Sequence, residues 1–167
     1  MRIVCLCLVI ILPFCLLSCS QERGVKEIFD EFSKKYGSLP CGVLYSSERE
    51  EWEDGYFSDK MRQQLFARED GTSELEHVSE YCVYLGSYNN EFYELGIFLC
   101  ASHSEAQQVA KMCLRRIDTV KGLRSMHGTA VSLSSLSGAF VQIYGKYCVY
   151  SIMPDNATAE SAFNSVF

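Results

Sequence analysis

Cys100-Ala-Ser-His103 is the tightest pairing of metal-ligating residue types in this chain, a Cys-x2-His spacing followed by Cys113. A structural zinc site normally pairs two such ligand sets. The remaining histidines, His77 and His127, stand alone in turn-like segments, so a second set is missing. The expectation is that Cys100 ends a strand, His103 begins a helix, and no metal or cofactor is held. Hydrolytic chemistry needs a nucleophile beside a base. The sequence has neither a Gly-x-Ser-x-Gly elbow nor a His-Glu-x-x-His pair, so a Cys-His site would have to be assembled in space. Glu94 lies in an otherwise apolar run, "FYELGIFLC". A carboxylate there is expected on the sheet's solvent face or beside an arginine, and a buried one would be a site candidate. Seven of the ten tyrosines (81, 84, 88, 93, 144, 147 and 150) fall in or beside strand-like runs. If one sheet face stays uncovered, Tyr84, Tyr93, Tyr147 and Tyr150 with Glu94 would form an aromatic platform for a glycan or a partner protein. Lys111, Arg115 and Arg124 read as a solvated basic stripe.

Periodicity supplies the elements that must position these residues. "GVKEIFDEFSKKY" puts Val25, Ile28, Phe29, Phe32 and Tyr36 on one helical face, with Gly37 as a stop. The stretch after it is irregular and acidic, with six charges between Glu48 and Asp54 and a candidate short strand at Gly42–Tyr45. Ser58 can cap a short helix through Phe66, with Met61 and Leu65 inward. "YCVYLG" (81–86) and "FYELGIFLCA" (92–101) read as a hairpin around the five-residue loop "SYNNE". A symmetric loop sets Cys82 opposite Gly96 and Cys100 opposite Val78. Ser102 and Glu105 have capping-box spacing. Behind them Ala106, Val109, Ala110, Cys113, Ile117 and Val120 form an apolar stripe. Arg115, Arg116 and Lys121 suit the helix C-terminal dipole, and Gly122 reads as the terminator. A serine-rich loop follows. "AFVQIYGKYCVYSIM" is a second hairpin turning at Gly145-Lys146, and "ATAESAF" a short closing helix. Two hairpins and a long helix predict an α+β fold. The expected architecture is an antiparallel four-stranded sheet with its helices packed on one face, a two-layer sandwich.

The chain has 167 residues, 48% hydrophobic and 22% charged, enough for one core, and a net charge of -6. An acidic surface repels phosphate backbones, so nucleic acid is not an expected partner. Nor is there a general attraction to anionic lipid, so membrane attachment would need a specific device.

The N-terminus offers one. Met1-Arg2 precedes fifteen apolar residues, "IVCLCLVIILPFCLL", interrupted by Pro13. A spanning helix needs about 20 apolar residues, whereas a secretory signal needs fewer. The end of the run, Leu16-Leu17-Ser18-Cys19, resembles the lipobox of bacterial lipoproteins, with Leu17 a small departure from the usual residue types. The resemblance implies cleavage after Ser18 and a diacylglycerol on the Cys19 thiol, whose two chains would anchor the protein stably. Five cysteines outside this segment (41, 82, 100, 113 and 148) cannot all pair within one chain, and buried free thiols are the expectation.

"YELGIF" (93–98), "EAQQVAKMCLRRI" (105–117) and "GKYCVYSIMPD" (145–155) resemble an uncharacterised bacterial lipoprotein family, catalogued as domain of unknown function 4358. The resemblance covers about half of the chain after Cys19 and implies a location and a fold, with no chemistry attached. The expected organisation is a signal peptide at 1–18, a lipid tether at 19–23, an N-terminal helix and variable region at 24–74, and an α+β domain at 75–167. The expected role is a non-enzymatic binding or interaction module, lipid-anchored on the extracytoplasmic face of the cell membrane. The alternatives are a small envelope enzyme of the Cys/His type and a structural subunit of an envelope complex.

Overall fold

The computed structural model describes residues 22–89, 91–127 and 132–167. The expected signal segment, and Cys19 with most of its tether, lie outside the described residues. In chain order the elements are helix α1 (Val25–Tyr36), strand β1 (Cys41–Ser46), helix α2 (Asp59–Phe66), a single 3-10 turn (Glu74–His77), strands β2 (Val78–Tyr88) and β3 (Glu91–Cys100), helices α3 (His103–His127) and α4 (Leu133–Ser137), strands β4 (Phe140–Tyr144) and β5 (Tyr147–Ile152), and helix α5 (Asn156–Val166). The class is α+β, and every strand pairing is antiparallel.

The sheet has five strands, in the order β1-β2-β3-β5-β4, and not four. The additional strand is β1, whose short, glycine-containing sequence carries a weak signal. Pairing with β2 makes it a strand, with Gly42 opposite Gly86. The Tyr84 ring lies across this glycine pair and its hydroxyl donates to the Pro40 carbonyl. A Cβ on Gly42 would sit 2.6 Å from the Gly86 Cα, so the close approach requires glycine.

The helices cover both faces of the sheet, which corrects the two-layer expectation. On one face, Ile28, Phe29 and Phe32 of α1 and Ala159, Phe163 and Val166 of α5 pack on Cys82, Tyr84, Leu95, Ile97 and Val149. On the other, Val109, Met112, Cys113 and Ile117 of α3, with Phe57 and Phe66, pack on Val83, Phe98, Cys100, Cys148 and Tyr150. Successive side chains of a strand point to opposite faces. A strand buried on both sides therefore reads as a continuous apolar run, as β3 does, and not as an alternation.

Local signals set most boundaries. Gly37 ends α1 at φ 96°. The Ser58 hydroxyl accepts from Met61 N–H at 3.3 Å and starts α2. Ser102 Oγ accepts from Glu105 N–H at 3.2 Å, the expected cap of α3. Two boundaries differ from expectation. Both strands of the first hairpin extend into the anticipated loop, β2 as far as Tyr88 and β3 from Glu91, with Asn89 at φ 52°. A register shift between Val78 and Glu80 sets Cys82 opposite Ile97 while Cys100 stays opposite Val78. Gly122 does not terminate α3, which runs on to His127. One helical glycine costs about 1 kcal/mol relative to alanine, which does not by itself end a helix. The serine-rich segment contains α4, capped by Ser132, whose Oγ accepts from Ser135 N–H at 3.0 Å.

Candidate functional site

Glu94 is the one charged residue of β3 beyond its first position, and it points to the α3 side of the sheet. Its partner is Arg116, which interrupts the apolar stripe of α3 at a core-facing position. Arg116 Nε donates to Glu94 Oε2 at 2.9 Å, and Nη2 donates to Oε1 to complete a bidentate pair. The Tyr150 hydroxyl donates to Oε2 at 3.3 Å. Both charged side chains are only 10% exposed. Burial opposes the charge of Arg116, but the Glu94 carboxylate outweighs it and holds the guanidinium above its ordinary value. Burial, and then the Glu94 charge, push the Tyr150 phenol well above its usual range, so it remains a donor.

This network borders a cleft of about 580 Å³ at one end of the sheet. Its walls are apolar and come from five elements: Val43 of β1, Leu65 of α2, Leu85 of β2, Phe92 of β3, and Val120 and Leu123 of α3. Val43, Phe92 and Leu123 are exposed at the mouth. The charged residues bordering the cleft are Glu94, Arg116 and Arg124. Its size and its apolar wall around a few polar groups match the usual form of a small-molecule site. Cys41 also lines it and is exposed, whereas Cys82, Cys100, Cys113 and Cys148 are buried free thiols. Burial pushes the Cys82 and Cys100 thiols up to about 12, which leaves them unreactive at neutral pH. Cys113 and Cys148 meet at 4.0 Å between α3 and β5.

The residues expected to share one surface are divided between the two cores. Tyr84 and Tyr93 are buried on the α1 side, and the Tyr93 hydroxyl donates to Glu91 at 2.7 Å. Burial first, and then this carboxylate, push the Tyr93 phenol up to about 12. Tyr147 packs against the same core and donates to the Arg23 carbonyl at 2.6 Å. Tyr150 is fully buried on the α3 side with Glu94. Since both sheet faces are covered, these tyrosines form no open platform; Tyr93 and Glu94 contribute to the cleft instead. Arg115 is not simply solvated: with Arg68 it binds the buried Glu74. His103 Nδ1 bonds the Gly145 carbonyl at 2.8 Å and holds the start of α3 to the second hairpin. Among the described residues, no group of three or more His, Cys, Asp or Glu could hold a metal, and no helix is long and apolar enough to cross a membrane.

Sequence reasoning missed Arg116 and the apolar mouth. The available signal was a pair of exceptions: one lone carboxylate in the most apolar strand and one arginine on the apolar side of the longest helix. Two charges that each break a core pattern are expected to meet when their elements pack. No family model matches the chain, and no curated protein or solved structure matches it either.

Proposed function

We propose that this chain is a lipid-anchored, extracytoplasmic binding module whose ligand occupies the cleft between α3 and the β1-β2-β3 end of the sheet. The observation that carries the binding reading is the cleft itself, an apolar-walled hollow with a buried ion pair at its border. A hydrolase would need a nucleophile within reach of a base. The polar residues bordering this cleft are instead a satisfied ion pair, Arg124, Cys41, Ser87 and Tyr93, with no histidine among them.

The tether reading rests on Leu16-Leu17-Ser18-Cys19 and on the resemblance of segments 93–98, 105–117 and 145–155 to a bacterial lipoprotein family. The start of the described chain is consistent with it. Val25 N–H donates to Glu80 at 3.2 Å, Tyr147 holds the Arg23 carbonyl, and Lys146 pairs with Glu22 at 3.3 Å. These contacts fix Glu22 at the opposite end of the sheet from Leu85 and Phe92. Six residues of β2 separate Glu80 from Gly86, a rise of about 20 Å. A lipid on Cys19 would thus leave the cleft on the end remote from the bilayer.

The test is an intact mass of the protein extracted from its native membrane. Residues 19–167 plus a diacylglycerol are the expected mass; a lipid-free chain, or one retaining residues 1–18, refutes the tether.

A further inference from the structure

Two thiols stand in contact on the α3 side of the core. Cys113 of α3 and Cys148 of β5 are both fully buried, and their sulfurs lie 4.0 Å apart. Both are reduced in this structure. We propose that Cys113 and Cys148 are a disulfide-forming pair, which closes in an oxidising compartment and ties α3 to the sheet. The inference goes beyond the binding reading and does not depend on what the cleft holds. A disulfide needs Cα atoms within about 7 Å and side chains directed at each other. The sulfur contact meets the second requirement, and closing it to a bond takes a shift of about 2 Å.

The positions of the other cysteines single out this pair. Cys41 is exposed at the cleft, and Cys82 belongs to the core on the α1 side. Cys100 shares the α3 side, but β3 sets Phe98, not Cys100, opposite Cys148. Cys100 therefore lies on a diagonal to Cys148, about 7–8 Å away and outside disulfide reach. One bond and three thiols also fit the odd count of five cysteines after Cys19. The chemistry is exchange with a low-molecular-weight or protein disulfide. The thiolate of one cysteine attacks that disulfide and releases a thiol. The second cysteine then attacks the resulting mixed disulfide and releases the other thiol. The pair loses two electrons and two protons, and the oxidant leaves as two thiols. Burial pushes the Cys113 thiol well above its ordinary value, so exchange takes place while α3 is undocked. The docked helix then shields the bond from reduction. Cys113 stands three positions before Arg116, about one turn of α3, so the bond fixes the turn that carries the Glu94 ion pair.

The test is to refold the full chain from urea in a buffer of reduced and oxidised glutathione, alkylate it in urea and digest it with trypsin. Segment 112–115, carrying Cys113, should be recovered joined to segment 147–167, carrying Cys148. The joined mass should be two hydrogens lighter than the sum of the free peptides. Segment 69–111, carrying Cys82 and Cys100, should be fully alkylated. Recovery of both peptides alkylated, or of either joined to segment 69–111 or to glutathione, overturns the pair. The bond closes a span of 35 residues, so dithiothreitol should lower the urea midpoint of the oxidised protein by at least about 1 M. In Cys148→Ala the midpoint should not respond to dithiothreitol. A response of the same size in that variant, or none in the unsubstituted chain, overturns the tie between α3 and the sheet. If Cys148→Ala does not fold, the joined peptide and the midpoint of the unsubstituted chain decide.

Discussion

Replacing Arg116 by methionine removes one half of a buried ion pair and leaves the other half in place. Glu94 keeps the Tyr150 hydroxyl as a donor but loses two charge-assisted bonds. At 10% exposure, water replaces them poorly. Stranding one partner of a buried pair costs about 3–5 kcal/mol. Arg116→Met should therefore lower the unfolding free energy by about 4 kcal/mol and the Tm by about 10 °C for a chain of this size. Urea unfolding followed by far-UV circular dichroism measures it. The double variant Glu94→Gln/Arg116→Met carries no stranded charge and keeps an acceptor for Tyr150, so it should recover more than half of the loss. A single-variant loss below about 1 kcal/mol, or a double variant as unstable as the single, would refute the reasoning.

Two further perturbations probe other parts of the scaffold. Burial alone would raise the Glu74 carboxyl, but Arg115 and then Arg68 hold it down to about 2. A carboxyl depressed in the folded state contributes stability above its unfolded value near 4.5, and loses that contribution as pH falls through about 2. Both arginines are more than a third exposed, so solvent screening reduces the effect to about 2 kcal/mol at neutral pH. Glu74→Gln should remove that contribution and flatten the acid limb of the stability curve between pH 4.5 and 2; an unchanged limb sinks the assignment. Gly96 lies opposite Tyr150, and a Cβ there would run into the Tyr150 ring and lie 2.8 Å from the Phe98 ring. Both rings are fully buried, so Gly96→Ala should cost at least about 2 kcal/mol by overpacking, read from the urea midpoint.

Where short-range chemistry decides, the sequence was sufficient. The apolar face of α1 and its stop at Gly37, the Ser58 and Ser102 caps, and the turn at Gly145-Lys146 each depend on residues within a few positions of one another. The odd count of five and the apolar runs around them likewise pointed to buried free thiols, which Cys82, Cys100, Cys113 and Cys148 are, whereas Cys41 is exposed. Tertiary structure decided what a local window cannot contain. β1 is a strand because β2 lies beside it, and its own six residues specify little. The layer count depends on which helix packs on which side, and a run as apolar as β3 is compatible with a covered second face without indicating what covers it. The tyrosines are core residues for that reason, since strand propensity fixes their spacing and the number of covered faces fixes their exposure. Glu94 and Arg116 stand 22 positions apart. Each was legible as an anomaly, but only the packing of α3 onto β3 joins them, because a lone buried charge is too costly to be left without a partner.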